Sequence, residues 1–216
     1  MPEESQQGGL APVLESEEFR EIGKLVNQLF GLVGGSLTGA TEALLSGDHR
    51  TARDLISRDE MVDELYRKIQ GFAYDVLLDA PREAGAIRYL ISILRIIPEL
   101  ERSGDLAEHI ARRALHNFTG DLTPRIRGIV AQMGEIGLRM WILTADDFAD
   151  RQSNRLETIE SMDDDLDDLQ VALIAELASG SLSVPVTIEM ALIARFYERF
   201  GDHAVNLARV MRGLWN

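Results

Sequence analysis

With 216 residues, 45% of them hydrophobic but only 6% aromatic, the chain can build one large or two small domains, and its lack of cysteine excludes disulfides, thiolate zinc sites and cysteine nucleophiles. Twenty-two Lys and Arg against 36 Asp and Glu leave a formal charge of −14, so the surface repels nucleic-acid backbones and anionic headgroups while attracting cations and basic patches on other proteins. No apolar run reaches the ~18 residues of a membrane span, and the polar, acidic start lacks a signal-peptide pattern, so a cytoplasmic protein without membrane insertion or bound nucleic acid is expected.

Residues 1–15, rich in Glu, Ser, Gln, Gly and Pro, read as a disordered tail. Beyond it, apolar residues recur at helical spacing almost continuously. The first helix is predicted from Glu17 to about Leu45, with Gly31, Gly34 and Gly35 allowing a close approach or a kink. Ser46-Gly47-Asp48 ends it, and Asp48 is placed to cap the second helix, which runs to about Leu78. Asp79-Ala80-Pro81 stops that one, because proline cannot continue a helix and restricts the residue before it. The third helix extends to about His116, after which Thr119-Gly120-Asp121 and Pro124 separate the halves. A fourth helix runs from about Pro124 to Asp146-Asp147 and a fifth from about Arg151 to Leu177. Ser179-Gly180-Ser181 and Pro185 form a turn, and the last helix reaches about Trp215. Helices of ~30 residues are ~45 Å long, and short connections make neighbours antiparallel. The expected fold is all-α: two tandem three-helix bundles, 16–118 and 119–216.

The halves match in sequence. Leu100-Glu101-Arg102-Ser103-Gly104-Asp105 recurs 97 residues later as Tyr197-Glu198-Arg199-Phe200-Gly201-Asp202, and Asp59-x-x-Val62-Asp63-x-Leu65 recurs 104 residues later as Asp163-x-x-Leu166-Asp167-x-Leu169. The offsets differ by seven residues, nearly two turns, so an internal duplication with a shorter second hairpin is expected. Four carboxylate pairs share one spacing: Asp59/Asp63, Glu101/Asp105, Asp163/Asp167 and Glu198/Asp202. Residues four apart lie on one helix face ~5–6 Å apart, where like charges repel. The apolar stripe Ile87, Leu90, Leu94, Ile97 leads into Glu101 and Asp105, which puts these carboxylates on a packing seam, where burial is costly unless they are paired or hold metal.

Four carboxylates from facing helices suit hard or borderline cations. His109, four residues from Asp105, and Asn206, four from Asp202, are candidate extra ligands. The plainer reading is a solvated acidic surface neutralised by Arg102 and Arg199, and the run Asp163 to Asp168 is in part such a face. His203, next to Asp202, points elsewhere.

The segments Leu100 to Ala111 and Glu198 to Ala208 resemble the paired ERIGDHAxNIA motifs of the PhoU family, and Ala43-Leu44-Leu45-Ser46-Gly47-Asp48 followed by the Asp59/Asp63 pattern is similar to that family's first unit. Ser103, Leu106 and His109 depart from the first-copy motif, and Phe200 from the second, but no pair is lost. The resemblance implies two three-helix bundles and multinuclear metal clusters held by these eight carboxylates, with iron foremost and Zn, Mn, Mg or Ca as alternatives. It further implies a non-enzymatic negative regulator acting on a phosphate ABC transporter, at its cytoplasmic ATPase side, and on the sensor histidine kinase of phosphate starvation. A homodimer is expected. The alternatives are a di-iron oxidase or ferroxidase, whose usual Glu-x-x-His is absent from the sequence, and a metal-free adaptor.

Overall fold

A computed structural model describes residues 14–79, 81–116, 118–180 and 182–215. Most of the expected tail, residues 1–13, lies outside them; Leu14 is already buried. The described residues form six long helices: α1 (Glu17–Ser46), α2 (His49–Asp79), α3 (Ala84–Ala114), α4 (Pro124–Ala149), α5 (Leu156–Ala178) and α6 (Val184–Trp215). A short 3-10 turn at Thr119–Asp121 separates the halves. Among the described residues there is no strand, and no helix is long and apolar enough to cross a membrane.

Local chemistry sets the boundaries. Gly47 closes α1 in the left-handed conformation, φ 74°, the geometry that favours glycine at a helix C-terminus. Asp48 Oδ1 accepts from the backbone N–H groups of Arg50 and Thr51, capping α2 as its position predicted. Thr123 caps α4 by accepting from Ile126 N, ahead of Pro124 in the first turn. Helix α5 begins at Leu156, five residues later than expected. The side chain of buried Asp147 holds the intervening turn, accepting from the Arg155 guanidinium at 2.7 Å and from Arg155 N at 3.3 Å.

Helices α1, α2 and α3 pack on one another, as do α4, α5 and α6, while α1 lies on α4 and α3 on α6. Helices α2 and α5 are therefore outer helices, each buried along one face. The longer α2 has 31 residues against 23 in α5, as the two-turn deletion predicted. Helices α3 and α6 bury two faces and run antiparallel: the Tyr89 and Trp215 rings lie 6.3 Å apart at one end, and Arg113 Nε meets Glu189 at 3.2 Å towards the other. One hydrophobic core runs through both halves. Trp141 of α4 is central to it, 5.2 Å from the Phe30 ring of α1 and 4.8 Å from that of Phe200 on α6. Of the three glycines in α1, Gly34 faces Trp141, where a Cβ would lie 3.1 Å from Cδ1, whereas Gly31 and Gly35 face open space.

The expected stripe on α3 holds at Leu90 and Ile97, which are fully buried, and partly at Leu94. Ile87 is 38% exposed, because the buried line enters through Ala86 and Tyr89 instead. Pro98 lies inside α3, where it lacks the N–H that would bond the carbonyl one turn back.

Candidate metal centre

In the first half, α2 and α3 approach closely at Gly104, where a Cβ would come within 3.0 Å of Val62 Cγ1. Val62 lies between Asp59 and Asp63, and Gly104 between Glu101 and Asp105, so the close contact sets the two pairs side by side. All four are half-buried. Burial first, then the charges of Asp105, Glu108 and Asp63, pushes the Asp59 carboxyl up to about 6, with Arg112 opposing. Glu101 is also raised, by burial and then by Asp105 and Asp63. So is Asp105, where burial outweighs the opposing effect of His109. Carboxylates on two helices thus feel one another across the interface.

The second half repeats this at Gly201. A Cβ there would lie 2.7 Å from both Asp163 Oδ1 and Leu166 Cδ2, so the α6 backbone rests directly on the Asp163 carboxylate. Burial, followed by Asp202 and Asp167, pushes the Asp163 carboxyl up to about 6. Asp167 is raised by burial and Asp202, against Arg195. Glu198 is raised by burial even though Arg195 pairs with its Oε1. The other oxygen, Glu198 Oε2, is buried without a hydrogen-bond partner. Asp167 and Asp202 are the more exposed members of this group.

Other residues fall differently. Arg102 pairs with Glu99 and not with the Glu101/Asp105 pair, and it is Arg195, not Arg199, that pairs with Glu198. His109 is exposed and stacks its ring 5.3 Å from that of Phe196. Asn206 is exposed on the wall of a groove between α3 and α6. His203 faces α3, where its Nδ1 hydrogen-bonds Glu99, and burial holds its pKa below the usual histidine value. Sequence reasoning missed Glu108, which is 7% exposed, pairs with Arg112 and raises Asp59. Its spacing, seven residues after Glu101 and therefore two turns along the same face, was the available signal.

The donors are all oxygens, and burial together with crowding raises the protonation affinity of six of the eight. That chemistry and the orphaned Glu198 oxygen fit a hard or borderline cation. Among the described residues, however, no three acidic or histidine side chains converge as a ready ligand sphere. The site as it stands is two seams of mutually repelling carboxylates.

Comparison with known proteins identifies the family of the chain. A family model described as "PhoU domain" matches residues 26–114 and again 130–211, one match per three-helix half. The "Phosphate-specific transport system accessory protein PhoU homolog 2" of Mycobacterium tuberculosis is 30% identical over 197 residues, covering 89% of this chain and 92% of that protein. A PhoU homologue of Rhizobium meliloti is 25% identical over 199 residues, covering 90% and 84%. The crystal structure of PhoU from Pseudomonas aeruginosa superimposes with a TM-score of 0.84 at 25% identity, covering 91% of this chain and 96% of that one, and the PhoU structure from Streptococcus pneumoniae does so at 0.83, covering 95% and 96%. Two matched repeats, relatives aligned along nearly their whole length and a shared six-helix architecture together make this chain a member of the PhoU family.

Proposed function

We propose that the chain is a non-enzymatic negative regulator of phosphate uptake, a helical scaffold whose two carboxylate seams bind metal ions and which acts through contacts with other proteins. The broad role, regulation of phosphate transport, follows from membership of the family. The finer reading assigns Asp59, Asp63, Glu101 and Asp105 to one metal site and Asp163, Asp167, Glu198 and Asp202 to the other, with Glu108 beside the first. The observation that carries it is the duplicated crowding of carboxylates on buried seams, with one buried oxygen left unbonded. A bound cation supplies the positive charge that these helices do not: Arg195 and Arg112 oppose the repulsion only in part. Iron leads the candidates, followed by Zn, Mn, Mg and Ca. By drawing α2 to α3 and α5 to α6, the ions would stiffen the outer helices of both halves.

The partners we propose are the cytoplasmic ATPase side of a phosphate ABC transporter and the sensor histidine kinase of phosphate starvation, contacted by a cytoplasmic homodimer. The acidic surface suits basic patches on such partners. Nothing in the seams pairs a nucleophile with a base.

Elemental analysis of protein purified without chelator, with melting before and after chelation, tests the metal reading. A ligand at 100 times its Kd stabilises by ~2.7 kcal/mol, and for a chain of this size each kcal/mol moves Tm by about 2–4 °C. Bound metal whose removal lowers Tm by roughly 5–10 °C is the expected result; metal-free protein with unchanged melting overturns it. Rapid oxygen consumption on adding Fe²⁺ would restore the oxidase alternative. For the regulatory reading, a pull-down from phosphate-replete cells should recover the transporter ATPase or the kinase, and a deletion strain with unchanged starvation output would refute it.

A further inference from the structure

A groove of about 1030 Å³ runs between the first half of α3 and the last turns of α6. Its α3 wall carries Arg88, Arg95 and Arg102. They are seven residues apart, and therefore ~10.5 Å apart along one helix face. Beside them Ile87 and Ile91 form an apolar strip, 38% and 49% exposed. Arg209 closes the α6 side. Arg102 is paired with Glu99, which also bonds His203, and Arg209 is paired with Glu160. Arg88 and Arg95 have no ion pair or hydrogen bond among the described residues.

This basic strip stands out on a chain of net charge −14. Helix packing does not demand it. At the offset that relates α3 to α6, Ile91 corresponds to Ile188, but Arg88 corresponds to Pro185 and Arg95 to Leu192. Ile188 and Leu192 are exposed as well, at 55% and 38%, so both halves carry exposed apolar residues here; Arg102 has a counterpart in Arg199, and only the first half adds Arg88 and Arg95.

We propose that this groove is the docking site for an acidic amphipathic helix of a partner protein, with carboxylates at heptad spacing meeting Arg88, Arg95 and Arg102 and an apolar residue between them lying on Ile87 and Ile91. Spacing decides among anions. Arginines ~10.5 Å apart do not converge on a single phosphate, whereas a helix with one acid every seven residues repeats at the same interval. Charge decides against a membrane surface, since the rest of the molecule repels anionic lipid and the arginines sit in a concavity. The proposal gives a surface to the protein contacts proposed above and rests on that reading only for the partner's identity.

The test uses the full chain and two synthetic 21-residue helical peptides. One carries Glu at heptad spacing with Leu on the same face, and the other has Lys in place of each Glu. The Glu peptide is expected to bind and to weaken between 50 and 300 mM salt. R88E/R95E is expected to lose at least tenfold in affinity, and I91S several-fold, with circular dichroism, Tm and metal content unchanged. The idea is overturned if no binding of the Glu peptide is detected, if R88E/R95E binds it equally, or if the Lys peptide binds as well. It is also overturned if only anionic vesicles bind the wild type and lose to R88E/R95E, or if that variant dissociates a dimer, which would make a second copy the occupant. Because metal content is read separately, loss of docking with metal retained is distinguishable from failure of the metal reading.

Discussion

An alanine at position 201 would place its methyl carbon 2.7 Å from Asp163 Oδ1 and from Leu166 Cδ2. Both are the far ends of flexible side chains, and alanine is favoured over glycine inside a helix by ~1 kcal/mol. Gly201→Ala is therefore expected to leave the metal-free protein within about 1 kcal/mol of wild type while displacing the Asp163 carboxylate. The readout is metal affinity, which should fall roughly tenfold or more; unchanged affinity would separate Asp163 from the site. The same carboxylates set a pH dependence. Asp59 and Asp163, each at about 6 when folded against 3.8 otherwise, bind protons more tightly in the folded state. Their contribution is fully present below pH 3.8 and is lost as pH rises through 6. Buried His203 works in the opposite sense, losing stability as pH falls below its unfolded value of 6.5, so the comparison must be made between variants. In chelated protein, D59N/D163N is expected to melt above wild type at pH 7, with the gap closing towards pH 4.5. A gap independent of pH would show that neither burial nor repulsion raises these carboxyls in the folded chain.

Between elements, the contact to watch is where α4 and α6 meet α1. Gly134 faces Thr41, and a Cβ there would stand 2.6 Å from Cγ2, 2.9 Å from Oγ1 and 3.3 Å from Cβ. Thr41 cannot step aside cheaply, because its χ1 is stiff and its hydroxyl is held by Tyr197 OH at 2.7 Å and by the Leu37 carbonyl at 2.9 Å. Gly134→Ala is therefore expected to cost a net ~1–2 kcal/mol, and Tyr197→Phe about 1 kcal/mol through the lost hydrogen bond. Chemical denaturation of each variant measures this, and if the bond breaks in both, the double variant should cost less than their sum. These contacts also mark where the sequence stopped being informative. The turn at Gly47-Asp48 and the duplicated Glu101/Asp105 and Glu198/Asp202 pairs were legible because they depend on neighbours within a turn or two. The partner of His203 and the exposure of Ile87 depend on how α3 lies against α6 and α2, which no local spacing encodes. Nor could spacing reveal that Arg155 would reach back to Asp147 and delay α5.

At the scale of the molecule, the question is whether the two halves are independent. Each contains a full three-helix repeat and its own carboxylate seam, which argues for two units. The packing argues otherwise. Only α2 and α5 are buried along a single face, whereas α1, α3, α4 and α6 share a core in which Trp141 bridges Phe30 and Phe200. Separating the halves would expose the faces of α1 and α3 that α4 and α6 now cover, among them Phe30 and Leu37, which are at most 2% exposed. Uncovering a large apolar side chain costs about 1.5–3 kcal/mol, against a total stability of only ~5–15 kcal/mol for a typical domain. A fragment spanning 16–118 is therefore expected to self-associate or unfold, and the metal-free full chain to melt in one transition with equal calorimetric and van't Hoff enthalpies. Metal would then raise that single Tm from either seam. Asp163→Asn and Asp59→Asn would each lower the metal-dependent increment for the whole chain, not for one half. Two resolved transitions, with each variant shifting only one of them, would show instead that the duplicated halves fold as separate domains and that the shared core contributes little to holding them together.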